Sequence, residues 1–220
     1  MKLVDRAKKI AFKYTKLGVP RYRFNIDPIQ LATLIFEIDR LKDVSGSIVE
    51  IGVAAGRTTR FLCEHIVRSG YTNQSLYAID TFNSFLGSDV DYEVSQRGKE
   101  RRDLDGLFGY NSFEVWKKNF SGFPFVTAFK SDCGAFDYST IAPIKVAFLD
   151  VDLYLPTKRA LPKIYEYLCS DGVILVDDVS KINEFRPGLF DGSRQGYMEF
   201  CSDCGITPNI IGNNCGIIRK

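Results

Sequence analysis

Short apolar runs alternate along this chain with longer stretches in which apolar positions recur every three or four residues. The runs are SIVEIG (47–52), SLYAID (75–80), FPFVTAFK (123–130), IKVAFLD (144–150), GVILVDD (172–178) and NCGIIRK (214–220). Their length and their Val, Ile and Phe content predict strands, and the alternation with helical periods predicts a parallel α/β sheet. In DPIQLATLIFEIDRLKDV the residues Ile29, Leu31, Leu34, Ile35, Ile38 and Leu41 fall at helical spacing, with Asp27 as N-cap and Pro28 as first helical residue. This helix is expected to cover a sheet edge. Further helices are predicted from Arg57 to Gly70, a natural stop, and from Thr157 to Leu168, with Pro156 where a helix start tolerates proline.

One connection breaks the rhythm. Residues 81–121 are polar, charged and punctuated by glycine, longer than connections in compact domains usually are, and are expected to form a lid or a mobile loop. With no repeat or linker elsewhere, residues 1–220 are expected to form one domain, with 1–46 as a helical cap at the N-terminal side.

Composition narrows the class. A chain of 220 residues, 45% apolar and 25% charged, suits one domain with a full core. The net charge of +2 lacks the basic footprint that nucleic acid demands. No apolar run is long enough to span a bilayer, and the basic amphipathic start has no signal-peptide core, so the expected compartment is the cytoplasm, with no membrane partner. Six cysteines are expected as reduced, buried thiols, because Cys201-Ser-Asp-Cys204 lacks the second tight pair of a zinc ribbon. The lone His65 falls inside a helix, where packing or solvation outweighs catalysis.

The chemistry lies at the ends of the strands. In SIVEIGVAAGRTT a strand runs into Glu50, Gly52 and Gly56 and then a helix opening with Arg57, Thr58 and Thr59. Glycines let the backbone turn tightly against a ligand, and a helix N-terminus favours an anionic group. The spacing is G-x-x-x-G, not that of dinucleotide enzymes, and no P-loop lysine is present. The next strand ends in Asp80, placed either to accept from ribose hydroxyls or to cap TFNSF. Asp150 and Asp152 end a later strand, two apart and so on one face, and Asp177 and Asp178 end the one after it. Four carboxylates converging on one sheet edge would raise one another's pKa values, a conflict that a hard divalent cation removes; Mg²⁺ is the simplest, with Mn²⁺ as substitute. The competing reading makes Asp177 and Asp178 caps of the following loop and Asp152 a cap of the helix near Pro156.

These residues resemble the first two motifs of class I S-adenosylmethionine-dependent methyltransferases, E/D-x-G-x-x-x-G followed by an acid after the next strand. The resemblance implies a Rossmann-like fold with a mostly parallel sheet, helices on both faces and an antiparallel C-terminal strand. It implies that Glu50, Gly52 and Gly56 border the methionine part of the cofactor, that Thr58 and Thr59 lie near its carboxylate, that Asp80 holds its ribose, and that Ser131-Asp132-Cys133 flank its adenine. D-V-D-L-Y-x-x-T-K-x-A-L, G-V-I-L-V-D-D, R-Q-G-Y-M-E-F and G-I-I-R-K narrow the similarity to the macrocin O-methyltransferase family, from about Val49 to the C-terminus. That family methylates hydroxyls of sugars or aglycones with S-adenosylmethionine and Mg²⁺. By position it makes Asp150, Asp177 and Asp178 metal ligands and Asp152 the general base. Some members carry a histidine one residue further on, where this chain has Leu153. Catechol-type relatives offer asparagine where Asp178 stands.

The implied partner is a small hydroxyl acceptor, glycosidic in type, and the N-terminal helix offers an interface for a homo-oligomer. RGKERR (97–102) reads as a solvated face or an electropositive rim. Tyr92, Phe108, Tyr110 and Trp116 read as core or as stacking partners for the acceptor, and Arg186 and Arg194 as acceptor contacts. Two other functions fit parts of the pattern: a metal-free N-methyltransferase acting on protein or RNA through the basic segment, and a non-catalytic cofactor-binding scaffold.

Overall fold

The computed structural model describes residues 3–18, 21–180 and 189–220. Seven strands form one sheet: β1 (Ser47–Ile51), β2 (Leu76–Asp80), β3 (Val126–Lys130), β4 (Ile144–Leu149), β5 (Leu168–Val176), β6 (Asn209–Ile211) and β7 (Cys215–Arg219). Their order is β3-β2-β1-β4-β5-β7-β6. The first five are parallel, β7 runs antiparallel beside β5, and β6 pairs antiparallel with β7. The expected Rossmann-like sheet with its antiparallel C-terminal strand is therefore present, with β6 as an additional edge. β6 is three residues long and half-exposed, too short for its pattern to mark it.

The eight helices among the described residues are α1 (Leu3–Tyr14), α2 (Pro28–Arg40), α3 (Arg57–Arg68), α4 (Gly87–Arg97), α5 (Arg101–Leu104), α6 (Phe113–Phe120), α7 (Tyr154–Glu166) and α8 (Asp191–Asp203). Both faces of the sheet are covered, so the central strands are apolar on both sides, as parallel strands usually are. Val146 and Phe148 of β4 join the layer built with Leu34 and Ile38 of α2, Leu62 and Ile66 of α3, and Trp116 and Phe120 of α6. Ala147 and Leu149 face the opposite layer, with Leu161 and Ile164 of α7 and Tyr197 and Phe200 of α8.

Several expectations change. α2 begins as predicted, with Gln30 Oε1 accepting the Asp27 N–H at 2.6 Å, but it lies over β4 and β5 near the middle of the sheet rather than at an edge, and its Ile29 is exposed. α7 begins at Tyr154, three residues before Thr157, so Pro156 sits inside its first turn, where no intrahelical donor is required. β5 begins four residues before Gly172. α1 buries none of its residues and leaves Leu3, Ile10 and Leu17 just beyond it exposed, so the covering part of residues 1–46 is α2.

Residues 81–121 hold three helices rather than a structureless loop. Asp89, Val90 and Glu93 of α4 are buried, and Glu93 Oε1 accepts the N–H of Tyr154 at 2.8 Å, which fastens α4 to the start of α7. Polar composition concealed this, because the bonds that bury these acids come from distant residues. Three of the four bases of 97–102 are committed to ion pairs, Arg97 with Glu93 and Asp191, each at 2.8 Å, Lys99 with Asp191 at 2.8 Å, and Arg101 with Asp91, while Arg102 is exposed 3.8 Å from Asp103. This segment is not a free electropositive rim.

Candidate cofactor and metal site

The carboxyl ends of β1, β2, β4 and β5 open onto one cleft, which the loop after β3 and residues 81–110 also line. Register brings the acids together. Leu149 of β4 pairs with Val176 of β5, and the chain continues the ladder with Asp177 N–H donating to Leu149 O at 2.9 Å and Asp150 N–H donating to Ile51 O at 2.8 Å. Asp150 and Asp177 therefore stand side by side on adjacent strand ends.

Ligand oxygens of Asp150, Asp177 and Asp178 lie within 4.8 Å of one another, and no other group of three or more His, Cys, Asp or Glu side chains converges in this way among the described residues. Asp152 lines the same cleft but is not within that trio. Strand alternation does not aim it. β4 ends at Leu149, and Asp152 takes φ +64°, with Leu153 N–H returning to Val151 O at 2.6 Å, so a tight turn swings its carboxyl into the cleft. Asp152 makes no side-chain cap on α7. Asp178 also has a left-handed φ of +57°, a conformation Asp tolerates better than most residues.

Burial raises every one of these carboxyls, and mutual repulsion adds to it. Asp177 is pushed up to about 7 by burial and by Asp178, against the opposing hydrogen bond from Gln30. Asp150 is held well above the ordinary carboxyl range by burial, then by Asp177, Asp152 and Asp178; Asp152 likewise by burial, Asp178 and Asp177. Asp178 is raised by burial, opposed by Asn214. An all-oxygen set with this unmet repulsion suits a hard divalent cation, so the donor chemistry fits Mg²⁺ or Mn²⁺.

Two carboxamides absent from the sequence reading hold the acids. Gln30 Nε2 donates to Asp177 Oδ1 and, at 3.3 Å, to Asn214 O; Asn214 Nδ2 donates to Asp178 Oδ1 at 2.9 Å and reaches Asp177 Oδ1 at 3.5 Å. The Asn213-Asn214 turn before β7 was their one signal in the sequence.

On the other side of β1, Gly52 and Thr58 line the cleft with Glu50, Asp80 and Asp132. Gly52 has φ +81°, and a Cβ there would lie 1.7 Å from Asp150 O, so close approach of β4 demands glycine at this turn. Gly56 is outside the lining, and its added Cβ would meet the rings of Phe120 and Trp116 at 2.6–2.7 Å. Thr59 is buried behind the cleft, against Glu50. Glu50 is also buried, and burial pushes it up to about 8, so it carries a proton at neutral pH. Its Oε2 and the Thr59 hydroxyl each lack a hydrogen-bond partner. An orphaned buried oxygen beside a glycine turn fits a cofactor with a polar amino-acid end.

Asp80 braces the glycine loop after β1 and the turn after β2. Its Oδ2 accepts from Val53 and Ala54 N–H at 2.8 and 3.1 Å, bracing the glycine loop, and its Oδ1 accepts from Phe82 N–H at 2.5 Å. TFNSF does not start a helix. Asp132 Oδ1 accepts from Gly134 N–H at 2.9 Å.

Of the other residues singled out, Trp116 is core, stacked on Phe120 with centroids 4.0 Å apart, and Tyr92 stacks on Tyr154. Phe108 and Tyr110 line the cleft. Arg194 donates to Ser180 O, and Arg186 lies outside the described residues. His65 contacts Asp39 at 2.6 Å on the surface of α3, remote from the acids of the cleft.

The family profile described as Macrocin-O-methyltransferase (TylF) matches residues 19–195. Among solved structures, the O-methyltransferase NovP is similar with a TM-score of 0.72 at 15% identity, over 97% of this chain and 88% of that one. CalS11, a calicheamicin methyltransferase, is similar with a TM-score of 0.67 at 18% identity, over 97% and 90%. At such identities these likenesses establish the shared fold. Comparison with curated proteins finds no match.

Proposed function

The chain belongs to the macrocin O-methyltransferase family, an S-adenosylmethionine-dependent O-methyltransferase family, and on that premise we propose that it methylates a hydroxyl of a sugar or other small natural product with the help of Mg²⁺. The observation that carries the metal is the convergence of Asp150, Asp177 and Asp178 within 4.8 Å. That NovP is an O-methyltransferase and CalS11 a calicheamicin methyltransferase supports this reading.

Transfer of a sulfonium methyl to oxygen needs alignment and a deprotonated hydroxyl. In this reading Gly52, Thr58, Asp80 and Asp132 border the cofactor, and Glu50 offers its protonated carboxyl to the amino-acid end. Bound at Asp150, Asp177 and Asp178, the cation would orient the acceptor hydroxyl and lower its pKa. Asp152 stands beside the trio without belonging to it, and accepts the proton from the hydroxyl. Leu153 leaves no histidine to share that work. The exposed apolar side of α1 supports an interface with a second copy, to be read by light scattering with and without residues 1–18.

Calorimetric titration of Mg²⁺ into protein saturated with S-adenosylhomocysteine tests this function. Binding that Asp150→Asn and Asp178→Asn weaken is expected. Cofactor binding without any metal binding would leave the metal-free N-methyltransferase or scaffold in its place.

A further inference from the structure

Three phenylalanines line the cleft, from parts of the chain far apart in sequence. Phe85 precedes α4, Phe108 follows α5 and Phe190 precedes α8, and all three line the cavity that holds the aspartates. Phe85 meets Phe108 edge-on, with centroids 5.5 Å apart and planes at 83°, and meets Phe190 at 6.4 Å and 63°. Phe85 and Phe190 pack against the cluster of Val90, Leu104 and Leu153, the last of which neighbours Asp152.

Phe108 holds φ +64°, a left-handed conformation that costs a bulky residue about 1–3 kcal/mol. Burial does not repay that cost, because the ring remains half-exposed in the cleft. Glycine would occupy this position without strain. Strain kept at a partly buried aromatic that lines a cavity points to a ligand for that ring.

The electrostatics of the cavity define the ligand's charge. Its lining carries eight carboxyl groups and one guanidinium, Arg57. Arg57 stands at the cofactor side, its Nη1 donating to Arg23 O at 2.6 Å. Arg159 offsets Asp89 at 2.7 Å and Asp132 at 3.8 Å from outside the lining. Among the described residues Arg57 is the one cationic side chain of the lining, and Arg97, Lys99 and Arg101 are paired with Glu93, Asp191 and Asp91. An anion placed at the phenylalanines would find no cationic partner there among the described residues of the lining.

Resting on the methyl-transfer reading above, we propose that the acceptor is an uncharged molecule that carries its hydroxyl next to a flat apolar or aryl face, gripped by Phe85, Phe108 and Phe190, and that nucleoside diphosphate sugars are poor ligands. Ring contacts of this kind are worth enough to select between acceptors that share a sugar.

The test uses the full chain with S-adenosylhomocysteine and Mg²⁺, and measures the affinity of phenyl glucoside, methyl glucoside and a uridine diphosphate sugar by calorimetry. Phenyl glucoside is expected to bind at least about tenfold tighter than either of the others. Phe85→Ala and Phe108→Gly should each remove most of that advantage with homocysteine-cofactor affinity unchanged. Phe108→Gly should also keep or raise the melting temperature, because it relieves the left-handed strain, whereas a ring with a purely structural role would lower it. Tighter binding of the nucleotide sugar, an aryl preference that survives both substitutions, or no binding of the aryl probe at millimolar concentration would each overturn the proposal. Loss of cofactor or metal binding in the unmodified chain would instead strike the methyl-transfer reading, and these are measured first as separate titrations.

Discussion

Gln30 Nε2 donates to Asp177 Oδ1 across 147 positions of sequence, joining the first turn of α2 to the end of β5. The same side chain accepts the Asp27 N–H through Oε1, so one carboxamide both closes the helix and fixes a carboxylate that can hold the metal. Partners that orient ligands in this way typically contribute about 10–100-fold in metal affinity. Gln30→Leu is expected to weaken Mg²⁺ binding by that order in calorimetry while the homocysteine cofactor still binds. Equal Mg²⁺ affinity in both proteins would reduce Gln30 to a helix cap.

Asp152→Asn separates proton transfer from binding. Asn tolerates the left-handed φ of +64°, so the turn into the cleft should survive. A general base typically contributes about 10²–10⁴-fold, and single-turnover methyl transfer should fall by that much with cofactor and metal affinities kept. A near-normal rate would show that activation of the hydroxyl needs no carboxylate at this position.

Stability should depend on pH in the sense opposite to that of most carboxylates. Asp177 is raised to about 7 and Glu50 to about 8, above their unfolded values near 4. The unfolded chain therefore releases these protons at lower pH than the folded one does, and the stability present below about pH 4 is lost as pH rises through 7 to 8. Without metal, the melting temperature is expected to be higher at pH 5.5 than at pH 8.5. Mg²⁺ should recover the part of the loss that belongs to Asp177, and Glu50→Gln should remove the part that belongs to Glu50. A flat profile between these pH values would contradict the burial of both carboxyls.

Gly52→Ala should fail as a fold rather than as a ligand site. Its Cβ would lie 1.7 Å from Asp150 O at a φ of +81°, so β1 and β4 must move apart. The left-handed backbone alone costs about 1–2 kcal/mol, and the clash adds to that. Differential scanning calorimetry should show a fall of several degrees before any cofactor is added; the native melting temperature with weakened cofactor binding would instead assign Gly52 to the ligand.

Much of the site was legible because its parts are local. A strand that ends in Glu50-Ile51-Gly52, another that ends in Asp80 and two that end in aspartates can be read from short windows, since strand ends follow the apolar runs. Residues 81–121 could not be read so, because Glu93 and Arg97 look solvent-facing until Tyr154 and Asp191 supply their partners. Gly56 was assigned to the cofactor from its spacing alone; that its φ of +79° and the rings of Phe120 and Trp116 also require glycine was not legible there.

The sequence by itself determined six of the seven strands, the order of acids and glycines at their ends, and the family they belong to, since periodicity and spacing are properties of neighbouring residues. Tertiary structure alone decided that Asp177 and Asp178 are held by Gln30 and Asn214, that a turn rather than strand alternation aims Asp152, and that three distant phenylalanines share one wall of the cleft. Those arrangements depend on strand register and on helices crossing the sheet, and the burial that shifts the carboxyls exists only once distant segments close around them.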